Sequence, residues 1–329
     1  MCIEDSKYDL SAVEFGCVDF ALQATQKFGP IQNALNARAN KKPWNWCEND
    51  NNWSRAIKNE AIEMQDHIGW KWWGHSTPHF NRAFMEVVDI FHFWISAILQ
   101  VRYESTKKGV PYLSPTFDAM KSGSDLLCEL KEIEKAVNEH LVRRRIQDEL
   151  PDVQKRIWRQ EAINSFIDLM VLKAAKAGLH AAEHDLEANY IQLLHIGYII
   201  QILCIFCGRS VSDLFKWYAG KNALNLFRWD NGYKKTAGEK GYIKIWSDGD
   251  APQEDNDYLE YMILDHKDEG SGENETSSEA TWLQKFYDML AAEYKNVLAT
   301  KDRNEDRSAN VSSWKDCESK KFVESLIAG

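Results

Sequence analysis

Proline and glycine are scarce in this chain, seven and seventeen among 329 residues. No stretch alternates short apolar strands with tight turns, which excludes the sandwiches and barrels that need a turn signal roughly every ten residues. Positive charge is also short. Forty Lys and Arg stand against fifty Asp and Glu, for a net charge of −10. A duplex nucleic-acid binder needs a basic face, so that partner class is excluded, whereas a protein that gathers cations fits. The seven cysteines are odd in number and irregularly spaced. They suggest a reducing, intracellular compartment, cytoplasmic or, in a eukaryote, nuclear. Long apolar runs are nearly absent. Ile191 to Cys207 is short for a membrane span and is interrupted by Gln192, His195 and Gln201, so a buried core helix is expected there and no membrane contact. The first residues, MCIEDSKYDL, are acidic with no apolar centre, so no signal peptide is expected.

What remains is helical. Hydrophobic residues make up 44% of the chain, with thirteen Trp, and they recur with the 3.6-residue period over long segments. The expectation is an all-α fold, a helical bundle. Helices are expected over about 10–38, 54–67 with Ser54 as N-cap, 80–102, 125–147, 152–181 and 183–207. Gly208 then stops the chain, and Ser210-Val211-Ser212-Asp213 starts a further helix with a capping-box pattern. Residues 103–124 and 230–256 read as loops, 267–280 has linker composition, and a last helix covers 281–299. The expected organisation is a catalytic domain over 1–256, carrying a helical insertion at 103–180, followed by a linker and helical extension over 257–329.

The chemistry starts with acids. Glu60-Ala61-Ile62-Glu63 and Glu86-Val87-Val88-Asp89 are two i,i+3 pairs, with 22 residues between Glu63 and Glu86. That spacing puts both carboxylates of a pair on one helical face. The segment Ala83–Val101 is otherwise free of formal charge, and Glu86, Asp89, Phe93, Ser96 and Gln100 share one stripe with His92 beside it. One such pair would be an ordinary solvated surface feature; two, each inside an apolar segment, point to a metal site. Four carboxylates cannot all stay ionised together without a cation, and hard oxygen ligands in that number suit Mg²⁺ or Mn²⁺. A second signal is basic. Between Lys216 and Lys244 there are seven positive and two negative residues, with Asn222, Asn225, Asn231 and glycines among them. Cationic and amide donors on such a stretch suit an oligophosphate.

At these residues the chain resembles the all-α dimeric dUTPases of the all-α nucleoside-triphosphate pyrophosphatase superfamily. The resemblance runs through Gln32-Asn33-Ala34-Leu35-Asn36, the two acid pairs, Gly69-Trp70-Lys71-Trp72-Trp73 and Ile90-Phe91-His92-Phe93. It continues in Tyr218-Ala219-Gly220-Lys221-Asn222-Ala223-Leu224-Asn225-Leu226-Phe227-Arg228, Asn231-Gly232-Tyr233-Lys234, Gly241-Tyr242-Ile243-Lys244-Ile245-Trp246 and Glu254-Asp255-Asn256. It covers about 20–100 and 185–256. It implies that Glu60, Glu63, Glu86 and Asp89 are the Mg²⁺ ligands, one of the first pair or a neighbouring carboxylate also orienting the attacking water. Gln32 and Asn36 would read the uracil edge, Trp73 would pack on the base, and His92 and Phe93 would line the base and deoxyribose pocket. Lys221, Asn222, Asn225, Arg228, Lys234 and Lys244 would hold the phosphates. The implied activity is hydrolysis of dUTP, and of dUDP, to dUMP by a homodimer, with attack at the α- or β-phosphorus left open.

The residue types suit that chemistry. A carboxylate takes a water's proton, and cationic donors stabilise the leaving phosphate. An amide side chain can match uracil's donor between two acceptors, whereas cytosine would leave buried groups unpaired, a rejection of up to about 10⁴-fold. Thymine differs by one methyl, worth only roughly 10–200-fold in a snug pocket, so a rigid aromatic wall is expected. Two other functions compete: a related pyrophosphatase acting on another base, and a nucleotide-loaded regulator that binds a protein partner through the insertion. His180-Ala181-Ala182-Glu183-His184 matches a zinc-protease spacing, but with no third ligand it reads as packed helix.

Overall fold

The computed structural model describes residues 13–39, 46–49, 51–71, 77–109, 151–233, 241–247, 252–265, 279–301, 311 and 313–321. The expected helix over 125–147, the loop 110–124 and the linker 267–278 lie outside them. The fold is all-α. In chain order the helices are α1 (Cys17–Ala39), α2 (Trp53–Ile68), α3 (Phe80–Lys107), α4 (Pro151–Ala182), α5 (Leu186–Phe206), α6 (Val211–Asp230), α7 (Asp255–Asp265) and α8 (Glu279–Lys301). A short antiparallel ribbon, β1 (Ile245–Ser247) and β2 (Gln253–Glu254), precedes α7. The chain divides into two compact units between Leu214 and Phe215, within α6.

The first unit is built on a ring of four helices. α2 packs on α3, α3 on α5, α5 on α4, and α4 back on α2, while α1 lies against α3 and α5. α2 and α4 run antiparallel. Gly178 sits against Ser54, Asp168 accepts from Gln65 at 3.4 Å, and Gln160 donates to the Ile68 carbonyl at 2.9 Å. Local chemistry sets the ends of α2. Asn52, not the expected Ser54, caps it by accepting from the Arg55 N–H at 2.9 Å, and Gly69 closes it in the left-handed region at φ 76°. The capping box opening α6 is present: Asp213 accepts from Ser210 N at 2.9 Å, and Ser210 Oγ accepts from Asp213 N at 3.0 Å.

α3 and α5 are long and apolar enough to cross a membrane by length and composition alone, yet 72% and 78% of their apolar windows are buried inside the protein. They are core helices. Their contact is unusually close. Trp94 donates to the Leu193 carbonyl at 2.6 Å, and its ring lies over Gly197, where an added Cβ would meet it at 2.5 Å. α3 runs to Lys107 rather than ending near 102, because Thr106 and Lys108 keep hydrogen-bonding back to the preceding turn.

In the second unit, α6 packs through Gly220 against Leu259 and Ile263 of α7. α8 closes on an aromatic cluster. Phe227 meets Tyr287 and Tyr294 edge-on at 5.3 and 5.4 Å, and Tyr294 stacks on Tyr242 at 5.0 Å and lies 5.6 Å from Trp246. The segment 230–256, expected to be loop, thus holds a small ribbon. The tail contributes as well, Trp314 lying 5.3 Å from Tyr287.

Candidate functional site

α2 and α3 are neighbours, so their acid faces meet. Carboxylate oxygens of Glu60, Glu63 and Glu86 all lie within 4.8 Å of one another. Asp89, one turn along α3, is close enough to be the strongest charged neighbour of Glu60. The four do not share one environment. Glu60, Glu86 and Asp89 are partly buried, while Glu63 stands at the exposed rim and accepts from Asn59 Nδ2 at 2.6 Å. The Glu60 carboxyl is pushed up to about 8, first by burial, then by Asp89, Glu63 and Glu86, and finally by a hydrogen bond with Glu86. Crowded, partly buried carboxylates raise one another in this way unless a cation neutralises them. The donor set is all oxygen, three of the four partly desolvated, and fits a hard divalent cation such as Mg²⁺. His67 Nε2 sits 3.3 Å from Glu86 Oε1.

One to two turns further along α3 lies a buried polar cluster shared with α1. Gln32 Nε2 donates to Asn36 Oδ1 at 3.0 Å, and Asn36 Nδ2 donates to Ser96 Oγ at 2.9 Å. All three are buried. The buried His92 donates from Nδ1 to the Val88 carbonyl at 2.8 Å and stands 4.0 Å from Asp89, between the acids and this polar cluster. Phe93 faces Trp53 with ring centroids 6.2 Å apart, and Trp53 meets Trp46 edge-on at 5.8 Å. Trp53 also donates to Gln100, and Trp46 donates to Asn33 at 2.6 Å. Trp46, Trp53 and Phe93 thus form one aromatic cluster, and neither tryptophan was among the anticipated pocket residues. Ser96 and Gln100 were visible only as members of the α3 stripe. Trp73 lies outside the described residues. Of its turn, Trp70 and Lys71 both engage Asp66, at 3.1 and 2.7 Å.

The basic run belongs to the second unit, and its described side chains are engaged there. Arg228 grips the fully buried Asp255 with two bonds of 2.7 Å, Nε to Oδ2 and Nη2 to Oδ1. The Tyr242 hydroxyl donates to the same carboxylate at 2.7 Å. Burial, then Asp255, pushes that hydroxyl far above its ordinary value and keeps it a donor. The resemblance implies a phosphate contact for Arg228. In the structure its bidentate fork braces Asp255, a partner 27 positions away that no local pattern announces. Asn225 Oδ1 and Asn256 Oδ1 each lie 3.5 Å from the same guanidinium, and Lys221 reaches Asn256 at 3.3 Å. Asn222 is fully buried, while Lys244 is exposed and paired with Glu254 at 2.7 Å. Lys234 lies outside the described residues.

Two sequence patterns resolve as structure rather than chemistry. α4 ends at Ala182, and His184 adopts a left-handed φ of 58°, so His180 and His184 do not share a helical face. Cys204-Ile205-Phe206-Cys207 has a CxxC spacing that sequence reading passed over. Both residues are buried, and burial holds both thiols up, Cys207 at about 12, so neither is poised as a thiolate.

The described helices thus bring a carboxylate cluster close to a buried group of amide, hydroxyl and aromatic side chains in an all-α protein. A family model described as dUTPase matches residues 25–233. That is well over half the chain, and the chain belongs to the all-α dimeric dUTPase family. The family is dUTP diphosphatase and is typically metal-dependent. A search of curated proteins finds no match to the chain.

Proposed function

We propose that this protein hydrolyses dUTP to dUMP and pyrophosphate, and dUDP to dUMP and phosphate, with Mg²⁺ or Mn²⁺ held by Glu60, Glu63, Glu86 and Asp89. The observation that carries the reading is the convergence of the acids inside the stretch matched by the family. Order along α3 supports it. Seven residues separate Asp89 from Ser96, a rise of about 10 Å, so the acids and the amide pocket are spaced along one helix as the phosphate and base ends of a nucleotide are.

In this reading Gln32 and Asn36 meet the uracil edge. His92 and Phe93, with Trp53 behind Phe93, line the pocket, and Trp73 packs on the base. A bound divalent cation neutralises phosphate charge and acidifies water. A carboxylate of the first pair orients the attacking water and accepts its proton, and Asn59 steadies Glu63 for that task. Lys221, Asn222, Asn225, Lys234 and Lys244 take the phosphate chain, an assignment carried by the motif run. Arg228 serves by bracing Asp255 and, through Asn225 and Asn256, the same cluster.

The deciding experiment incubates the protein with dUTP, dUDP, dCTP and dTTP, with and without EDTA, and resolves the products. Conversion of the uracil nucleotides alone, abolished by EDTA, is expected; equal turnover of dCTP would indicate a pyrophosphatase with another base preference. Glu86→Ala should abolish hydrolysis while circular dichroism stays helical. Full activity in that variant would remove the metal-site reading.

A further inference from the structure

The amide pair on α1 is held from α3 by one serine. Ser96 is fully buried. Its Oγ lies 2.9 Å from the His92 carbonyl oxygen and 2.9 Å from Asn36 Nδ2. A hydroxyl has one hydrogen, and a carbonyl can only accept. With that hydrogen on the His92 carbonyl, Ser96 meets Asn36 as an acceptor, and Asn36 must turn its NH₂ group toward it. The opposite direction, Oγ donating to Asn36 Oδ1, is the longer approach at 3.3 Å and would take the hydroxyl hydrogen off the His92 carbonyl. Asn36 Oδ1 then receives Gln32 Nε2 at 3.0 Å. Each bond fixes the sense of the next, from a main-chain carbonyl that cannot be reversed. Gln32 therefore turns its NH₂ group toward Asn36 and its carbonyl the other way.

We infer that Ser96 sets the polarity of the Gln32–Asn36 amide pair and thereby the preference for uracil over cytosine. The inference rests on the reading above that these amides meet the base. Uracil N3 carries a hydrogen and needs an acceptor; cytosine N3 carries none and needs a donor. A side-chain amide exchanges the two by rotating half a turn about its last bond, with no change of shape, so only its hydrogen bonds decide which face the base meets. Ser96 acts through Asn36 and is a positioning residue.

The test compares kcat/KM for dUTP and dCTP in the full-length chain, as wild type, Ser96→Ala and Asn36→Ala. Ser96→Ala should lower the dUTP-to-dCTP ratio about tenfold, the worth of one buried hydrogen bond, with the Mg²⁺ concentration for half-maximal rate unchanged. A merely structural loss would lower both substrates alike and keep the ratio, and that result overturns the inference. If the alanine variant does not fold, Ser96→Cys keeps the volume with a far weaker donor and acceptor and should show the same fall; a retained ratio there overturns the inference as well. An unchanged ratio in Asn36→Ala would show that the amides do not read the base, and the inference falls with that reading. A ratio lost in Asn36→Ala but kept in Ser96→Ala removes the inference alone.

Discussion

Burial, then the neighbouring carboxylates Asp89, Glu63 and Glu86, push the Glu60 carboxyl up, and this has measurable consequences. Its folded-state value, about 8, lies above the ordinary carboxylate value of 4.5. Folding therefore favours the protonated form. For the metal-free protein, that contribution to stability is fully present below the unfolded value and is lost as pH rises through about 8. The expected outcome is a melting temperature in EDTA that falls between about pH 5 and 8, a slope that Mg²⁺ removes and Glu60→Gln flattens. Calorimetry of Mg²⁺ binding at pH 7 in two buffers of different ionisation enthalpy should show about one proton released. Binding with no proton release would mean the cluster is already fully ionised. The Arg228–Asp255 pair makes the opposite kind of prediction, because both partners are already satisfied and shielded. Arg228→Ala leaves a buried carboxylate unpaired and should destabilise by about 3–5 kcal/mol in urea unfolding. A rise in KM for dUTP at unchanged stability would instead assign the guanidinium directly to the substrate.

At the level of elements, the tightest constraint is where α3 crosses α5. Only hydrogen fits at position 197, since a methyl there would stand 2.5 Å from the Trp94 ring. Trp94 is fully buried and tied to the Leu193 carbonyl, so it cannot swing aside. Gly197→Ala should cost about 1–3 kcal/mol by overpacking, read as a lower denaturation midpoint, although alanine normally favours a helix. A neutral or stabilising effect would mean the two helices have slack. Such elements were legible in sequence for a physical reason. Periodicity reports which face of a helix is apolar, and the i,i+3 acids and the α3 stripe from Glu86 to Gln100 are local patterns of that kind. Contacts between distant positions carry no such pattern. Asn36 meets Ser96 across 60 residues, Trp53 meets Gln100 across 47, and Arg228 meets Asp255 across 27; no local pattern announces any of these pairings. Helix ends were legible where one residue decides them, as at Gly208 with φ 73°. They were misread where two neighbours compete, as with Asn52 and Ser54.

For the molecule as a whole, the described residues that follow the family match are structural parts of the second unit rather than an appendage. Tyr242 and Asp255 both follow position 233, yet Tyr242 meets Phe227 edge-on and Asp255 pairs with Arg228 of the motif helix. α8 then covers that cluster. Tyr294 accepts the Ile243 N–H at 2.9 Å, Tyr287 donates to Asp230, and Ser319 reaches the Leu226 carbonyl at 3.5 Å. Phe227, Tyr287 and Leu290 are all fully buried, with Tyr294 and Leu298 at 1% exposure. Removing α8 would open this apolar and aromatic surface to water and leave the Ile243 N–H without its acceptor. A chain ending at residue 278 should therefore lose protection across 215–265 in amide hydrogen exchange and become sensitive to protease there. The milder Tyr294→Phe, which removes one acceptor and keeps the ring, should cost about 1–3 kcal/mol. If the shortened chain kept the protection of the full one, α8 would be a passenger, and the cluster around Arg228 and Asp255 would have to stand on α6, α7 and the ribbon alone.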